Sequence, residues 1–277
     1  PPITAGRSAT LETDPVADEI RRATDNAAAP PTVSVIVPTY REHLNIPVLV
    51  PAIHAALGGA SLSHEIVVVD DDSRDGSIEA VEELARTIPV CIVVRRGERG
   101  LASAVVRGFR EANGEVLVCM DADGSHPAEA LPALVRPLLS GEADFTVGSR
   151  YVKGGTTDEA WSFFRRLNSR VATLLAWSLT ELRDPMSGYF ALPRALFASV
   201  GEFDPTGFKI GLELAIRLGP LRTAEIPIHF RDRKYGTSKL GIRQQAEYLV
   251  QIMSLHGLRR RRGLNKRSPS ANAAKHS

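Results

Sequence analysis

Two aspartates, Asp121 and Asp123, stand one residue apart directly after the apolar run "VLVCM" at residues 116–120. Like charges this close repel each other unless a cation lies between them. Carboxylate oxygens are the ligands that Mg²⁺ and Mn²⁺ prefer, and these ions are commonly shared with the phosphates of a substrate. Asp-x-Asp strings also occur in turns and helix caps, so the pair alone is a weak signal. Its position after a predicted buried strand, with Pro127 opening the next helix, favours a site for a divalent cation and a diphosphate.

A second acidic segment, "VVVDDDSRDGS" at 67–77, also follows an apolar run. Asp75 and Ser77 fit a cap for the helix predicted at 77–87. Capping does not account for Asp70 and Asp71, which are better placed to accept hydrogen bonds from a nucleobase or ribose.

Basic side chains come from the second half of the chain. Singly, each fits a surface charge, but the polar segment "FRDRKYGTSKLG" at 230–241 has the composition of a loop that closes over phosphates. The basic candidates are Arg150, Arg165, Lys209, Arg233 and Lys239. Several histidines lack the spacing of metal ligands and receive no role, namely His43, His54, His64, His126 and His229.

The elements that must position these residues alternate strictly in the first half of the chain. Short continuous apolar runs predict strands covered on both faces, and the segments between them have helical spacing. Such alternation implies parallel strands joined by right-handed crossovers, with functional groups at the carboxyl edge of the sheet. The predicted strands are 33–38, 65–73, 90–96 and 115–123, and the predicted helices are 44–57, 77–87 and 100–114, with Pro47 and Pro51 delaying the start of the first helix.

The second half has a looser rhythm. Strands are predicted at 144–151, 188–192 and 224–230, and helices at 161–180, 208–219 and 239–255. The last helix has an apolar set and precedes a tail, 259–277, with seven Lys or Arg residues and no acid, although the whole chain has a net charge of only +2. Such a tail is attracted to a polyanion, either nucleic acid or anionic lipid, and a solvated end is the alternative. The resulting domain prediction is a flexible lead at 1–31, a catalytic domain at 32–238 divided near residue 126, an amphipathic helix at 239–258 and the basic tail.

Composition and missing motifs exclude several classes. No G-x-G-x-x-G follows the first strand and no P-loop is present, so a dinucleotide oxidoreductase and a P-loop enzyme are ruled out. No run approaches the roughly 20 apolar residues of a membrane span, which predicts a protein that is at most peripheral to a membrane. Cys91 and Cys119 lie in strand-like runs and are predicted to be buried free thiols, as in a reducing compartment.

Taken together, the segments resemble one family. "VIVPTYRE" (35–42), "EIVVVDDDSRDGS" (65–77) and "VCMDADGSHP" (118–127) are similar to the family 2 glycosyltransferases of GT-A fold. "VGSRYVKGG" (147–155), "DPMSGYFAL" (184–192) and "EIPIHFRDRKYGTSKL" (225–240) resemble the polyprenol-phosphate (dolichol-phosphate) mannose synthase branch. The similarity runs from about Thr32 to about Leu255. It implies an α/β GT-A fold with a Rossmann-like, mostly parallel central sheet flanked by helices, an acceptor-side half and a C-terminal amphipathic helix.

The resemblance also implies residue roles. It assigns Asp121 and Asp123 to the Mg²⁺ or Mn²⁺, and these two with Arg233 to catalysis. Acceptor phosphate is assigned to Arg150, Arg165 and Ser169. The donor nucleotide is assigned to Pro38, Tyr40, Glu42, Val69, Asp71, Asp121, Ala122, Asp123, Lys209, Arg233 and Lys239. One departure is that Ser125 stands where relatives often have Gln near the metal, so Ser125 is expected to be a shorter, weaker ligand.

The expected activity is inverting transfer of mannose from GDP-mannose to a polyprenyl (dolichyl) phosphate at the cytoplasmic face of a membrane. The C-terminal helix and basic tail, or an integral-membrane subunit, would supply the membrane contact, and no nucleic-acid partner is expected. Two alternatives remain from the sequence: transfer of glucose or an N-acetylhexosamine from a UDP-sugar, and a non-catalytic protein that binds a nucleotide sugar or a polyanion.

Overall fold

The computed structural model describes residues 29–158, 174–205, 207–232 and 242–261, with the backbone alone for 242–247. Several predictions fall outside these ranges: the lead up to residue 28, most of the helix at 161–180, the loop at 233–241 and the tail from 262 onward. The candidate residues Arg165, Ser169, Arg233 and Lys239 lie there too.

The described ranges contain the predicted alternation of strands and helices. The strands are β1 (Val33–Thr39), β2 (His64–Asp70), β3 (Val90–Val94), β4 (Val116–Cys119), β5 (Phe145–Ser149), β6 (Thr156–Thr157), β7 (Phe190–Pro193), β8 (Thr223–Pro227) and β9 (His229–Phe230). The helices are α1 (Ile46–Gly59), α2 (Ser77–Leu84), α3 (Leu101–Glu111), α4 (Leu131–Leu139), α5 (Arg194–Ala198), α6 (Ile210–Leu218) and α7 (Ile242–Arg261), with a single 3₁₀ turn, Ala128–Ala130, before α4.

Seven of these strands form one sheet in the order β3-β2-β1-β4-β7-β5-β8. All neighbours are parallel except β7, which runs antiparallel to both β4 and β5. The prediction of an α/β fold with a mostly parallel central sheet is confirmed. The reversal of β7 was not predicted, because a short apolar run carries no information about strand direction.

Helices cover both faces of the sheet. Successive residues of β1 alternate: Val35 and Val37 pack in the cluster with α1 and α4, whereas Ile36 packs in the cluster with α3 and α6. Gly108 of α3 allows close approach, because a Cβ there would lie 2.5 Å from a methyl of Ile36. Each of these fully buried aliphatic side chains contributes about 1.5–3 kcal/mol, so the faces hold the strand ends in fixed register.

Three of the boundaries that differ from the prediction have a clear physical reason. Helix α1 starts early, at Ile46, because Pro47 lies in the first turn, where its missing N–H has no partner to lose. Strand β2 ends at Asp70, because Asp72 and Arg74 adopt left-handed backbone angles (φ 53° and 51°) that turn the chain. The strand predicted at 224–230 is divided at Ile228 into β8, which joins the main sheet, and β9, which pairs with β6.

Helix α7 was predicted to have an apolar face, and some of its described apolar side chains pack on α6. Tyr248, Ile252 and Leu255 form a third apolar cluster with Leu212 and Ile216 of α6. The helix continues past the predicted end at Leu258 to Arg261. Across the described residues, no helix has the length and hydropathy that crossing a bilayer demands.

Candidate active site

The two aspartates lie at the carboxyl edge of the sheet, immediately beyond β4. The side chain of Asp123 is buried, and its Oδ1 accepts hydrogen bonds from both the backbone N–H and the hydroxyl of Ser125, at 3.1 and 2.6 Å. Gly124 makes this turn possible with φ 76°, a value that side-chain-bearing residues rarely adopt. Ser125 therefore orients the carboxylate of Asp123, a contact that the sequence analysis did not anticipate.

Asp121 is positioned by a histidine to which the sequence assigned no role. The backbone N–H of Asp121 donates to Nδ1 of His126 at 3.0 Å, and Nε2 of His126 lies 3.8 Å from the carboxylate. The ring is buried and stacks on Tyr189, with centroids 5.0 Å apart. Burial lowers the pKa of His126, despite the opposing effect of Asp121 and Asp123, and so favours the neutral ring that can accept at Nδ1.

A glycine borders the carboxylate of Asp121 on its other side. A Cβ at Gly188 would lie 3.2 Å from both carboxylate oxygens. Because Gly188 has no side chain, the residues just before β7 can lie directly against Asp121. This contact joins the "DPMSG" segment to the predicted metal site.

The donor set at this edge fits a hard divalent cation. Asp121 and Asp123 offer carboxylate oxygens, and the side chain of Asp121 is one-third exposed (33%). Among the described residues no group of three or more His, Cys, Asp or Glu side chains forms a cage. Mg²⁺ typically binds through one or two carboxylates, keeps several waters and takes further ligands from substrate phosphates. The two aspartates match that pattern.

The predicted nucleoside residues follow β1 and β2 at the same edge. Pro38 and Val69 are paired across the two strands and are buried, with the side chain of Val69 in the core against α3. Tyr40 is half-buried and has the guanidinium of Arg99 4.7 Å from its ring centroid. Glu42 accepts a hydrogen bond from the side chain of Asn45, the residue that precedes α1.

Asp70 and Asp71 have different surroundings. Asp70 is fully buried and accepts hydrogen bonds from the backbone and hydroxyl of Ser73, so it closes the turn after β2. Asp70 thus has a structural role in this turn, and its contact with a nucleobase stays a prediction. Asp71 accepts from Arg95 Nε at 2.7 Å and from the Gly100 N–H at 2.8 Å, at the start of α3.

The basic half of the site is built on a buried ion pair. Arg150, which follows β5, donates from Nε and from a terminal nitrogen to the carboxylate of Asp184, both at 2.7 Å. Burial acts to lower the pKa of Arg150, but the hydrogen bonds and charge of Asp184 raise it above its ordinary value. Glu225 of β8 in turn accepts from the backbone N–H of Arg183 and Asp184. The Arg150 guanidinium is thus held by Asp184, and Asp184 is in turn held by Glu225 of β8.

Lys209 precedes α6 and is half-buried. Its Nζ donates to the carbonyl of Met186 at 2.9 Å. Burial lowers the pKa of Lys209 to about 8, with Arg150 acting in the same direction and Asp121 against it. Arg150 and Asp121 thus lie close enough to Lys209 to act on its charge. That the three residues belong to one substrate site stays a prediction. Ala122, between the two aspartates, packs in the core.

The chain has relatives among known proteins at the level of a family and of a branch within it. Residues 34–201 match the family Glycosyl transferase family 2, and the chain belongs to this family. Its resemblance to the polyprenol-phosphate branch is confirmed by relatives named dolichol-phosphate mannosyltransferase. The protein of Mycosarcoma maydis is 43% identical over 242 residues (84% of this chain, 82% of that protein), and that of Saccharomyces cerevisiae 42% over 233 residues (80% and 86%). The relative from Pyrococcus furiosus is 44% identical over 227 residues, which are 80% of this chain but 63% of that protein.

Solved structures confirm the GT-A fold. Glucosyl-3-phosphoglycerate synthase from Mycobacterium tuberculosis, solved with phosphoglyceric acid, superposes with a TM-score of 0.57 at 19% identity over 95% of this chain and 88% of its own. Mannosyl-3-phosphoglycerate synthase from Rubrobacter xylanophilus gives a TM-score of 0.59 at 18% identity over 94% and 83%. The mycobacterial enzyme has also been solved with Mn²⁺, UDP and glucosyl-3-phosphoglycerate. At these identities the likeness concerns the fold.

Proposed function

We propose that this glycosyltransferase moves mannose from GDP-mannose to a polyprenyl (dolichyl) phosphate, with inversion at the anomeric carbon. The observation that carries the proposal is the pairing of two edge carboxylates, Asp121 and Asp123, with the cationic side chains of Lys209 and Arg150, of which Arg150 is buried, in one site. The two carboxylates suit a divalent metal ion that is shared with a diphosphate. The side chains of Lys209 and Arg150 suit phosphate groups. The names of the relatives at 42–44% identity support mannose as the sugar and dolichyl phosphate as the acceptor.

Asp121 and Asp123 would hold Mg²⁺ or Mn²⁺, which when bound would offset the negative charge of the diphosphate leaving group. His126 and Ser125 keep these two carboxylates oriented toward the edge. Lys209 would stabilise the charge that develops on the diphosphate, and Arg233 and Lys239 are proposed to contribute from the following loop.

Arg150 would position the acceptor phosphate for in-line attack, with Arg165 and Ser169 as further proposed contacts. A lipid phosphate is already ionised near neutral pH, so attack needs no strong general base, unlike transfer to a hydroxyl. The arginine held by Asp184 agrees with such a mechanism, because it supplies positive charge and orientation but accepts no proton.

Pro38, Tyr40, Glu42, Val69 and Asp71 remain the proposed nucleoside contacts. Since Val69 has its side chain in the core, its contact would be through the backbone. Asp71, which is hydrogen-bonded to Arg95, can offer its remaining lone pairs to a base.

The test of this function uses the purified chain, GDP-mannose and a short polyprenyl phosphate, with product formation measured with and without Mn²⁺. We expect metal-dependent mannosyl transfer and metal-dependent thermal stabilisation by GDP. Stabilisation by UDP in place of GDP would move the assignment to a UDP-hexose donor. Binding without transfer to any acceptor would favour a non-catalytic nucleotide-sugar protein, and stabilisation by an oligonucleotide alone would favour a polyanion binder.

The lipid acceptor requires contact with a membrane, and α7 is the proposed contact. Leu249, Val250 and Met253 are exposed on the side of α7 that faces away from α6, with Met253 at 74%. Arg259, Arg260 and Arg261 end the same helix and suit anionic headgroups. We propose that this face lies peripherally on the cytoplasmic surface of a membrane, with an integral-membrane subunit as the alternative docking partner.

Co-sedimentation with vesicles that contain anionic lipid tests the membrane contact. Replacing Leu249, Val250 and Met253 together by Gln should abolish binding, whereas the control Leu139→Gln, exposed on α4, should leave it intact. Equal loss in both variants, or no loss in the triple variant, contradicts the assignment to α7. Removal of 259–277 tests the basic tail in the same assay.

A further inference from the structure

Gln251 of α7 makes two hydrogen bonds to one residue of the active site. Its side chain is fully buried, and Oε1 accepts from the backbone N–H of Lys209 at 3.2 Å. Its Nε2 donates to the backbone carbonyl of Lys209 at 3.4 Å. The two contacts fix the position and the rotation of the Lys209 peptide. They join segments that are 42 residues apart in the chain.

The backbone of 207–209 is shaped to receive this amide. A Cβ at Gly207 would lie 2.5 Å from both Cδ and Oε1 of Gln251. Real Cβ atoms do not approach so closely, so the amide reaches Lys209 only because position 207 is glycine. The Gln251 side chain therefore fills the space that a Cβ at position 207 would need.

Lys209, the residue that Gln251 holds, places its positively charged Nζ in the candidate active site. Lys209 is the N-terminal cap residue of α6, since its carbonyl accepts the first helical hydrogen bond from the Glu213 N–H at 3.1 Å. Its Nζ is held at the carbonyl of Met186 and interacts electrostatically with Asp121. A shift of the Lys209 backbone would carry Nζ away from the carboxylate edge.

Gln251 also lies on the side of α7 that faces the protein core. Successive helical residues are about 100° apart, because there are 3.6 residues per turn. Tyr248, Ile252 and Leu255 share this buried side with Gln251, whereas Val250 and Met253 are exposed on the opposite side. One helix thus has a polar contact to the site on one side and an apolar exposed surface on the other.

We propose that Gln251 is a positioning residue for the donor diphosphate, acting through Lys209, and that α7 is consequently part of the donor site. The inference rests on the proposed function, because it assigns the diphosphate of the donor to Lys209. A buried amide that served packing alone would be replaceable by an apolar side chain of equal length without effect on the donor. The test uses that difference.

The primary variant is Gln251→Met, which keeps length and apolar packing but removes both hydrogen bonds. We expect the affinity for GDP with Mn²⁺ to fall about tenfold, with a matching rise in the KM for the sugar donor and little change in the KM for the acceptor. Ile252→Val is the matched control, because it loosens the packing of α7 on α6 and leaves the Lys209 contact in place. The control should lose thermal stability but bind GDP as the unaltered protein does.

A double-mutant cycle with Lys209→Met separates positioning from general damage. We expect Gln251→Met to add no further loss of GDP affinity once Lys209 is removed. Gly207→Ala is the second variant, to be used if Gln251→Met fails to fold. Its added methyl would push the Gln251 amide away from Lys209, so it should cause the same loss of GDP affinity.

GDP affinity equal to that of Ile252→Val, or a loss that persists in the Lys209→Met background, would overturn the inference and leave the proposed function in place. Failure of the unaltered protein to bind GDP with Mn²⁺ would instead overturn the proposed function.

Discussion

Arg150 and Asp184 face each other with two hydrogen bonds of 2.7 Å, and neither side chain is more than 8% exposed. The backbone N–H of Arg150 donates to the same carboxylate at 3.0 Å. The aspartate therefore determines where the guanidinium lies and which of its edges is engaged. Arg150 was predicted from the sequence to lie on the acceptor side. Its orientation depends on Asp184, 34 residues away, to which the sequence analysis gave no role.

Asp184→Asn should weaken acceptor use. Asn keeps the shape but loses the charge, which leaves a buried guanidinium without its counter-ion at a cost of about 3–5 kcal/mol. We expect a lower melting temperature and a KM for polyprenyl phosphate raised at least tenfold, with GDP affinity little changed. Asp144→Asn, which breaks the exposed pair with Arg222, is the control and should alter neither quantity. An unchanged acceptor KM in Asp184→Asn would remove Asp184 from the site.

Asp123→Ala should abolish transfer and the metal dependence of GDP binding, because it removes one of the two carboxylates proposed for the cation. Ser125→Ala should have an intermediate effect, since it frees the Asp123 carboxylate from the 2.6 Å hydrogen bond. Outer partners of this kind change metal affinity by roughly 10–100-fold. Titration of Mn²⁺ in the presence of GDP measures both. Near-full activity of Asp123→Ala with Mn²⁺ present would refute the metal assignment.

Gly188→Ala should displace Asp121. The added methyl would lie 3.2 Å from both carboxylate oxygens, tighter than ordinary contact, so the aspartate or β7 must shift. We expect roughly tenfold weaker Mn²⁺ affinity. Gly257→Ala is the control, because a Cβ there meets nothing within 4 Å in α7, and it should stabilise the protein by up to about 1 kcal/mol. Equal Mn²⁺ affinity in the two variants would contradict the contact.

Donor binding should weaken as the pH rises above about 8. The pKa of Lys209 is lowered to about 8 by burial, so the side chain of the free protein loses its charge in that range. A diphosphate favours the charged form, so binding above pH 8 should be accompanied by proton uptake. Calorimetry of GDP with Mn²⁺ in buffers of different ionisation enthalpy measures this uptake. Lys209→Met should show none, and uptake that persists in this variant would assign it to another group.

Stability should fall as the pH drops below about 6.5, through a histidine away from the site. Burial lowers the pKa of His64, the hydrogen bond to the Leu62 carbonyl opposes this, and neighbouring His54 lowers it further. The unfolded chain therefore takes up a proton at a higher pH than the folded chain does, and stability rises with pH between the two pKa values. Urea unfolding at pH 5.5 and 7.5 measures the difference. His64→Gln should reduce it, and an unreduced difference would point to other groups.

The sequence predicted the acidic edge because its signal is local. Asp121 and Asp123 directly follow an apolar run, and the strand–helix alternation implies that such residues meet at one edge. Arg150 was likewise singled out from its place at the end of a predicted strand. These inferences need only the period of the apolar residues and the order of the elements.

The residues that orient the site were missed because their signal is not local. His126 has no partner at metal-ligand spacing, and its function depends on stacking against Tyr189, 63 positions later in the chain. Gln251 is one polar residue in an amphipathic helix, and only the path of 207–209 shows what its amide meets. The structural role of Asp70 was missed for the same reason, because the turn that brings Ser73 back to it requires left-handed residues that the sequence pattern does not reveal.

The insertion of β7 between β4 and β5 has a consequence for biosynthesis. Phe190 pairs with Cys119 and with Val147, so the central hydrogen-bonded ladder is incomplete until a segment made about 70 residues after Cys119 has left the ribosome. Contacts between such distant segments slow folding, because a long loop must close first. A nascent chain that ends before Phe190 leaves β4 with an open edge next to the two aspartates, and this stage of synthesis is where the protein most needs protection from aggregation.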